Sequence, residues 1–120
     1  MIEPIPDLPD NVLGFRASGK VTADDYETAL IPAVEAKLAG QDKVRFLYYL
    51  GDDCEGFEAG AMWDDAKVGF RHITAWEKLA LVTDIEWIRG SLKIFGFVIP
   101  GHVRVFKNEE LDEAVKWVSE

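Results

Sequence analysis

The chain has 120 residues, a length at which one domain can bury about two-thirds of its unfolded surface without disulfide or metal staples. Its apolar share of 48% and charged share of 29% exclude a disordered polymer. A formal charge of −9, with 12 acids against 5 bases in residues 1–60, repels phosphate backbones and excludes nucleic acid as a partner. Chain order then predicts the elements. Ile2 and Ile5 read as a short strand that Pro4, Pro6 and Pro9 confine to a sheet edge. Asn11 to Val21 reads as a second strand, with imperfect alternation around Gly14. Thr22 is placed to cap a helix, and Asp24, Asp25 and Glu27 put negative charge at its positive end. Tyr26, Leu30, Val34 and Leu38 form its inward stripe, Pro32 should kink it, and Gly40 ends it.

Val44 to Leu50 reads as a central strand, apolar on both faces over its later half. Gly51 to Gly56 reads as a loop. A second helix follows from Phe57 to about His72, with Met62, Ala66 and Phe70 four apart. Lys78 to Val82 is another buried-type strand. Asp84 is expected to cap a third helix striped by Ile85, Ile88, Leu92 and Phe95 and ended by Gly96, Pro100 and Gly101. Val103 to Phe106 is the last strand. Asn108 is expected to cap the last helix, striped by Leu111, Ala114, Val115 and Val118. Strand followed by helix four times predicts an α/β fold. The expected form is a single small mixed, largely parallel β-sheet with about four helices, residues 1–120 making one domain.

Several segments, in order, carry a family resemblance. Gly19-Lys20-Val21-Thr22 runs into Asp24-Asp25-Tyr26-Glu27 and Leu30-Ile31-Pro32. Phe46 to Leu50 leads into Gly51-Asp52-Asp53. Trp63-Asp64-Asp65-Ala66-Lys67-Val68-Gly69 precedes His72. Leu79-Ala80-Leu81-Val82-Thr83-Asp84 leads to Trp87, and Val103-Arg104-Val105-Phe106 leads to Glu113-Ala114-Val115-Lys116-Trp117-Val118. Over about nine-tenths of its length the chain resembles the SpoIIAA-like family, relatives of STAS domains. The resemblance implies a small mixed sheet packed with helices, similar to regulators of sigma-factor partners, to domains of anion transporters and to lipid-carrying CRAL-TRIO domains. The sporulation regulators carry a phosphorylatable serine at the start of the helix after the central strand. Residues 51–58 hold no serine or threonine, which argues against such a switch.

Chemistry-bearing residues are few. Asp52, Asp53, Glu55 and Glu58 follow a strand, where ligands of open α/β sheets gather. Carboxylate oxygens suit a hard cation, but the spacing misses the EF-hand pattern, and a solvated acidic loop is the reading adopted. Cys54, the single cysteine, has acidic neighbours that suppress its thiolate and no second cysteine for a disulfide. His72 and His102 lack zinc spacing, the glycines do not form a phosphate loop, and Asp64 and Asp65 occupy adjacent helix positions that point apart. No metal or cofactor is expected. Trp63 and Trp117 are expected to anchor the core.

Residues 85–99 hold more apolar side chains than one stripe requires. Trp87, Ile94, Phe97, Val98 and Ile99 add to Ile88, Leu92 and Phe95, either deepening the core or forming a pocket, a dimer interface or a membrane-contacting patch. Arg89 and Lys93 flank this patch and could meet an anionic head group. The resulting expectation is a non-enzymatic binding module for a small amphipathic, lipid-like ligand or a protein partner, a second copy included. Its proposed surface is Trp87, Arg89, Ile94, Phe95, Phe97 and Val98. The alternatives are a signalling regulator without a phosphoserine switch and a small enzyme working at the 51–58 loop through Asp52, Asp53 and Glu55. The Met1-Ile2-Glu3-Pro4 start shows no leader pattern and no apolar run is long enough to span a bilayer. A cytoplasmic setting, with at most peripheral membrane contact, is expected.

Overall fold

The computed structural model describes residues 1–71, 74–95 and 100–120. Five strands form one sheet in chain order. They are β1 (Ile2–Pro4), β2 (Val12–Val21), β3 (Val44–Phe57), β4 (Trp76–Val82) and β5 (His102–Phe106). β1 runs antiparallel to β2, with Ile2 opposite Ala17. The pairs β2–β3, β3–β4 and β4–β5 are parallel. The helices are α1 (residues 23–39), α2 (Ala59–Arg71), α3 (Glu86–Phe95) and α4 (Leu111–Ser119). The mixed, largely parallel sheet with four helices is therefore as expected from the sequence.

A sheet that grows in chain order through right-handed crossovers puts every crossover helix on one face. Two cores show this division. On one face Phe15, Ala17, Phe46, Tyr48, Leu50 and Leu81 pack with Tyr26, Leu30 and Val34 of α1, Ala61 of α2 and Ile88 of α3. On the other, Val12, Leu47, Ala80, Val82 and Phe106 pack with Ala114 and Val118 of α4. Ile5 and Leu8, from the segment after β1, complete that second layer.

Thr22 caps α1 as anticipated. Its hydroxyl accepts from the Asp25 N–H at 3.2 Å, while the Asp25 carboxylate accepts from the Thr22 N–H at 2.9 Å. The anticipated kink at Pro32 takes a specific form. Tyr26–Leu30 is a π-helical turn, in which the Ile31 N–H reaches the Tyr26 carbonyl. Pro32 has no N–H for Thr28, and its ring would press on the Thr28 carbonyl. The wider turn relieves that conflict.

Three expectations are corrected. Residues 51–56 are not a loop, because β3 continues through them to Phe57. Beyond Leu50, opposite Ala17, the register shifts until Cys54 faces Gly19 and Phe57 faces Val21, leaving extra β3 residues as a bulge. Gly19 at φ 59° and Gly56 at φ 128° supply the backbone conformations this irregular ladder needs. Along α2 the inward residues among those described are Ala61 and Asp64, whereas Met62 and Ala66 of the expected stripe are exposed and the side chain of Phe70 lies outside the described residues. Asn108 does not cap α4 with its side chain. That amide donates to Asp52 at 2.9 Å, and Glu110 instead accepts from the Lys107 N–H at 2.7 Å.

Candidate functional site

Parallel strands present their carboxyl ends along one edge of the sheet, and helices that follow them begin there. α2 starts just after β3, and α3 just after β4. A network of short bonds holds this edge. Thr83 is fully buried, and its hydroxyl accepts from the Ile85 N–H at 3.1 Å. Arg89 Nη1 donates to the carbonyls of Thr83 and Phe106, each at 2.8 Å, tying α3 to the ends of β4 and β5. Asp84 accepts from the Asn108 N–H at 3.0 Å.

Large apolar side chains are exposed on the two helices that begin at this edge. Trp63 and Met62, near the start of α2, are 65% and 48% exposed. Trp87, in the first turn of α3, is 53% exposed. Trp63 is thus not the core anchor the sequence suggested. With Ala61 and Asp64 turned inward, the helical period carries residues 62 and 63 outward. Trp117 lies half-buried on the opposite face, with Lys78 Nζ 5.0 Å and the Arg104 guanidinium 5.4 Å from its ring.

Beneath α2 lies a polar cluster inside an apolar layer. The Tyr26 hydroxyl donates to Asp65 Oδ1 at 2.8 Å and lies 3.0 Å from the Tyr48 hydroxyl. Tyr26 has one hydroxyl hydrogen, and Asp65 receives it, so Tyr48 is the donor to Tyr26. Burial, followed by the nearby Asp65 charge, holds the Tyr26 pKa far above its usual value. Burial likewise raises that of Tyr48. Asp65 as a residue is exposed on the flank of α2, yet its carboxyl end reaches these tyrosines. Crowding of that carboxyl by protein raises its pKa, and the Tyr26 hydrogen bond partly offsets the rise. Asp64 is 4% exposed. Its Oδ1 lies 3.3 Å from Lys67 Nζ, and its buried Oδ2 has no hydrogen-bond partner among the described residues. Cys54 is a half-buried free thiol packed against this core.

The residues singled out from sequence fall in different places. Trp87 is at the exposed edge, and Arg89 braces α3 through backbone carbonyls. Phe97 and Val98, and the side chains of Ile94 and Phe95, lie outside the described residues. Asp52, Asp53 and Glu55 sit on the bulged end of β3, all exposed. Asp52 accepts from Asn108, while Asp53 takes Arg16 Nη2 on both oxygens at 3.0 Å. Among the described residues no group of three or more His, Cys, Asp or Glu side chains is arranged to hold a metal. Sequence reasoning missed Tyr26, Tyr48 and Asp65 as a group. A tyrosine in an apolar stripe reads as ordinary core, and a carboxylate in a helix reads as solvated.

The geometry can be set beside known proteins. No curated protein matches the chain. A crystal structure of an uncharacterized protein of the DUF3478 family with a SpoIIAA-like fold, from Shewanella loihica PV-4, is similar to it. That protein is 28% identical, superposes with a TM-score of 0.75, and the match covers 98% of this chain and 92% of that one. The family model described as SpoIIAA-like matches residues 12–119, which include every crossover and the whole edge described above. This chain belongs to the SpoIIAA-like family.

Proposed function

We propose that this domain is a non-enzymatic binding module that takes a small amphipathic ligand at the carboxyl edge of the sheet, between the starts of α2 and α3. The carrying observation is the exposure of Met62, Trp63 and Trp87 on neighbouring crossover helices. Single exposed apolar residues are common, but two tryptophans and a methionine exposed on consecutive crossover helices favour an apolar occupant. Methionine and tryptophan suit such a site, since one adapts its shape and the other offers a broad face with a polar N–H. The residues Ile94, Phe95, Phe97 and Val98, proposed from the sequence, follow Trp87 in the chain. Among the described residues no helix is long and apolar enough to cross a membrane.

The test is native mass spectrometry of protein purified from cells, with extraction of bound lipid, joined to a titration with 1-dodecanol read by tryptophan emission. A retained small molecule and a blue shift on titration are expected. Trp63→Ala and Trp87→Ala should each weaken dodecanol binding by about tenfold, the effect of losing an aromatic anchor. A bare monomer whose tryptophan emission is indifferent to dodecanol would refute the proposal. A dimer that hides both tryptophans would transfer the surface to a second copy of the chain.

A further inference from the structure

The two edges of the sheet differ. β1 has three residues and ends on Pro4, which has no N–H to offer. β5 has five residues and no proline, and among the described residues it pairs only with β4. The Thr83 N–H donates to the Phe106 carbonyl at 2.9 Å, so the main-chain groups of Phe106 face β4. Main-chain direction alternates along a strand. Those of Arg104 and His102 therefore turn toward β4 as well, and the N–H and C=O of Val103 and Val105 point to the open side. Side chains alternate between the faces. Arg104 lies opposite Ala80 on the α4 face, whereas Val103 and Val105 lie half-buried opposite Leu79 and Leu81 on the other.

Arg104, in the middle of this edge, is exposed, and its guanidinium lies 4.7 Å from the Phe106 ring and 5.4 Å from that of Trp117. Stacking on two rings holds the planar fork in place, and a pre-set fork loses less freedom when it takes a carboxylate. The other arginines all meet oxygen: Arg16 on Asp53, Arg45 on Glu77, Arg71 on Glu35, and Arg89 on two carbonyls. Among the described residues Arg104 is the one arginine without an oxygen partner. Lys78, on the same sheet face and 5.0 Å from the Trp117 ring, adds a second positive charge. A charged side chain on an edge guards against self-pairing. An antiparallel pair of β5 strands centred on residue 103, 104 or 105 would set two Arg104 charges opposite or diagonal to each other. The same charge attracts an acid.

We propose that β5 accepts an extended acidic segment of a partner protein as an added antiparallel strand, with a glutamate or aspartate opposite Arg104 and apolar side chains opposite Val103 and Val105. The outward main-chain groups of the two valines supply the ladder, which holds any extended chain. The Arg104 fork supplies the choice, because a carboxylate takes it on both oxygens and a lysine in that place would be repelled. The amphipathic-ligand surface of α2 and α3 takes no part in it.

The probe is a short fluorescein-labelled peptide in which valine alternates with glutamate, titrated by anisotropy at fixed ionic strength beside two counterparts. One carries glutamine for glutamate, and the other carries N-methylated valines, which cannot donate to β5. The glutamine peptide is expected to bind about tenfold more weakly, and Arg104→Gln to weaken the glutamate peptide by the same factor of about ten. The two changes together should cost no more than either alone, since both remove one contact. Lys20→Gln, which removes an exposed charge from β2, should change affinity by less than about twofold. Bound peptide should slow amide exchange at Val103 and Val105, and the N-methylated peptide should neither bind nor protect them. Should Arg104→Gln fail to fold, the ratio of glutamate to glutamine peptide on the unaltered protein decides alone. Absence of binding, binding indifferent to Arg104→Gln, or equal binding of the N-methylated peptide overturns the proposal. Protection of Val103 and Val105 that rises with protein concentration and needs no peptide also overturns it and gives the edge to a second copy of the chain.

Discussion

At the residue scale, the most constrained atoms are three oxygens. Tyr48 donates to Tyr26 and Tyr26 to Asp65, so each hydroxyl is oriented by the next group in line. Tyr26 is fully buried, which makes its hydroxyl the central link. Tyr26→Phe leaves the Tyr48 hydrogen without its acceptor and should cost about 1–3 kcal/mol in urea unfolding. The same change removes the bond that lowers the Asp65 pKa, so that carboxyl should titrate higher still in an NMR titration. The pH dependence follows from the sign of the shift. Asp65 has an ordinary value of 3.8 and a raised one in the folded protein. The fold therefore holds this proton more tightly than the unfolded chain does. Its contribution to stability is greatest in acid and declines as pH rises from 3.8 through the folded value. Asp65→Asn should flatten that decline when unfolding midpoints are compared across the acid range. Because the residue is exposed, solvent keeps the effect modest.

At the element scale, α1 and α2 show opposite lessons. The α1 cap was legible because a threonine hydroxyl and an acid three residues on bond only to nearby backbone, which needs no tertiary knowledge. The Pro32 conflict was legible for the same local reason, although its resolution as a π turn was not. α2 misled because periodicity assumes that apolar residues face inward, and here Met62 and Trp63 face solvent while Asp64 does not. The end of β3 misled because Gly51, Asp52, Asp53 and Gly56 have the composition of a turn. Pairing with the last third of β2 overrides that preference by satisfying its backbone groups. Arg89 ties α3 to the ends of β4 and β5. Arg89→Met keeps much of the stem packing but removes the Arg89 donor from two carbonyls, of which that of Phe106 still accepts from the Thr83 N–H. It should lower stability by about 1.5–3 kcal/mol, read from the denaturant midpoint. Trp87, which faces solvent in the same helix, should tolerate Trp87→Ala within about 0.5 kcal/mol.

At the scale of the whole molecule, the one-directional strand order divides labour between the faces. Three crossover helices cover one face, and two of them expose Met62, Trp63 and Trp87. α4 and the segment around Ile5 and Leu8 close the other. Gly101 shows how close the chain passes to itself between α3 and β5. A Cβ there would collide with the Trp76 carbonyl and lie 3.0 Å from that of Glu77. Both obstacles are backbone, so neither can swing aside. Gly101→Ala should destabilise by about 1–3 kcal/mol and shift β5 away from β4, visible as faster amide exchange in both strands.

The sequence by itself determined the α/β class, the strand–helix alternation, the capping of α1 and the family resemblance. All of these rest on local propensity, hydrophobic period and the order of short motifs along the chain. Only the tertiary structure decided which side of α2 faces inward, and that β3 extends past Leu50. It also decided that Arg89 is a brace, and that Tyr26, Tyr48 and Asp65 meet across elements up to 39 residues apart. The physical reason is that a carboxylate or a tyrosine hydroxyl is buried only where distant partners offset its lost hydration. Such partners are chosen by packing in three dimensions rather than by neighbours in sequence.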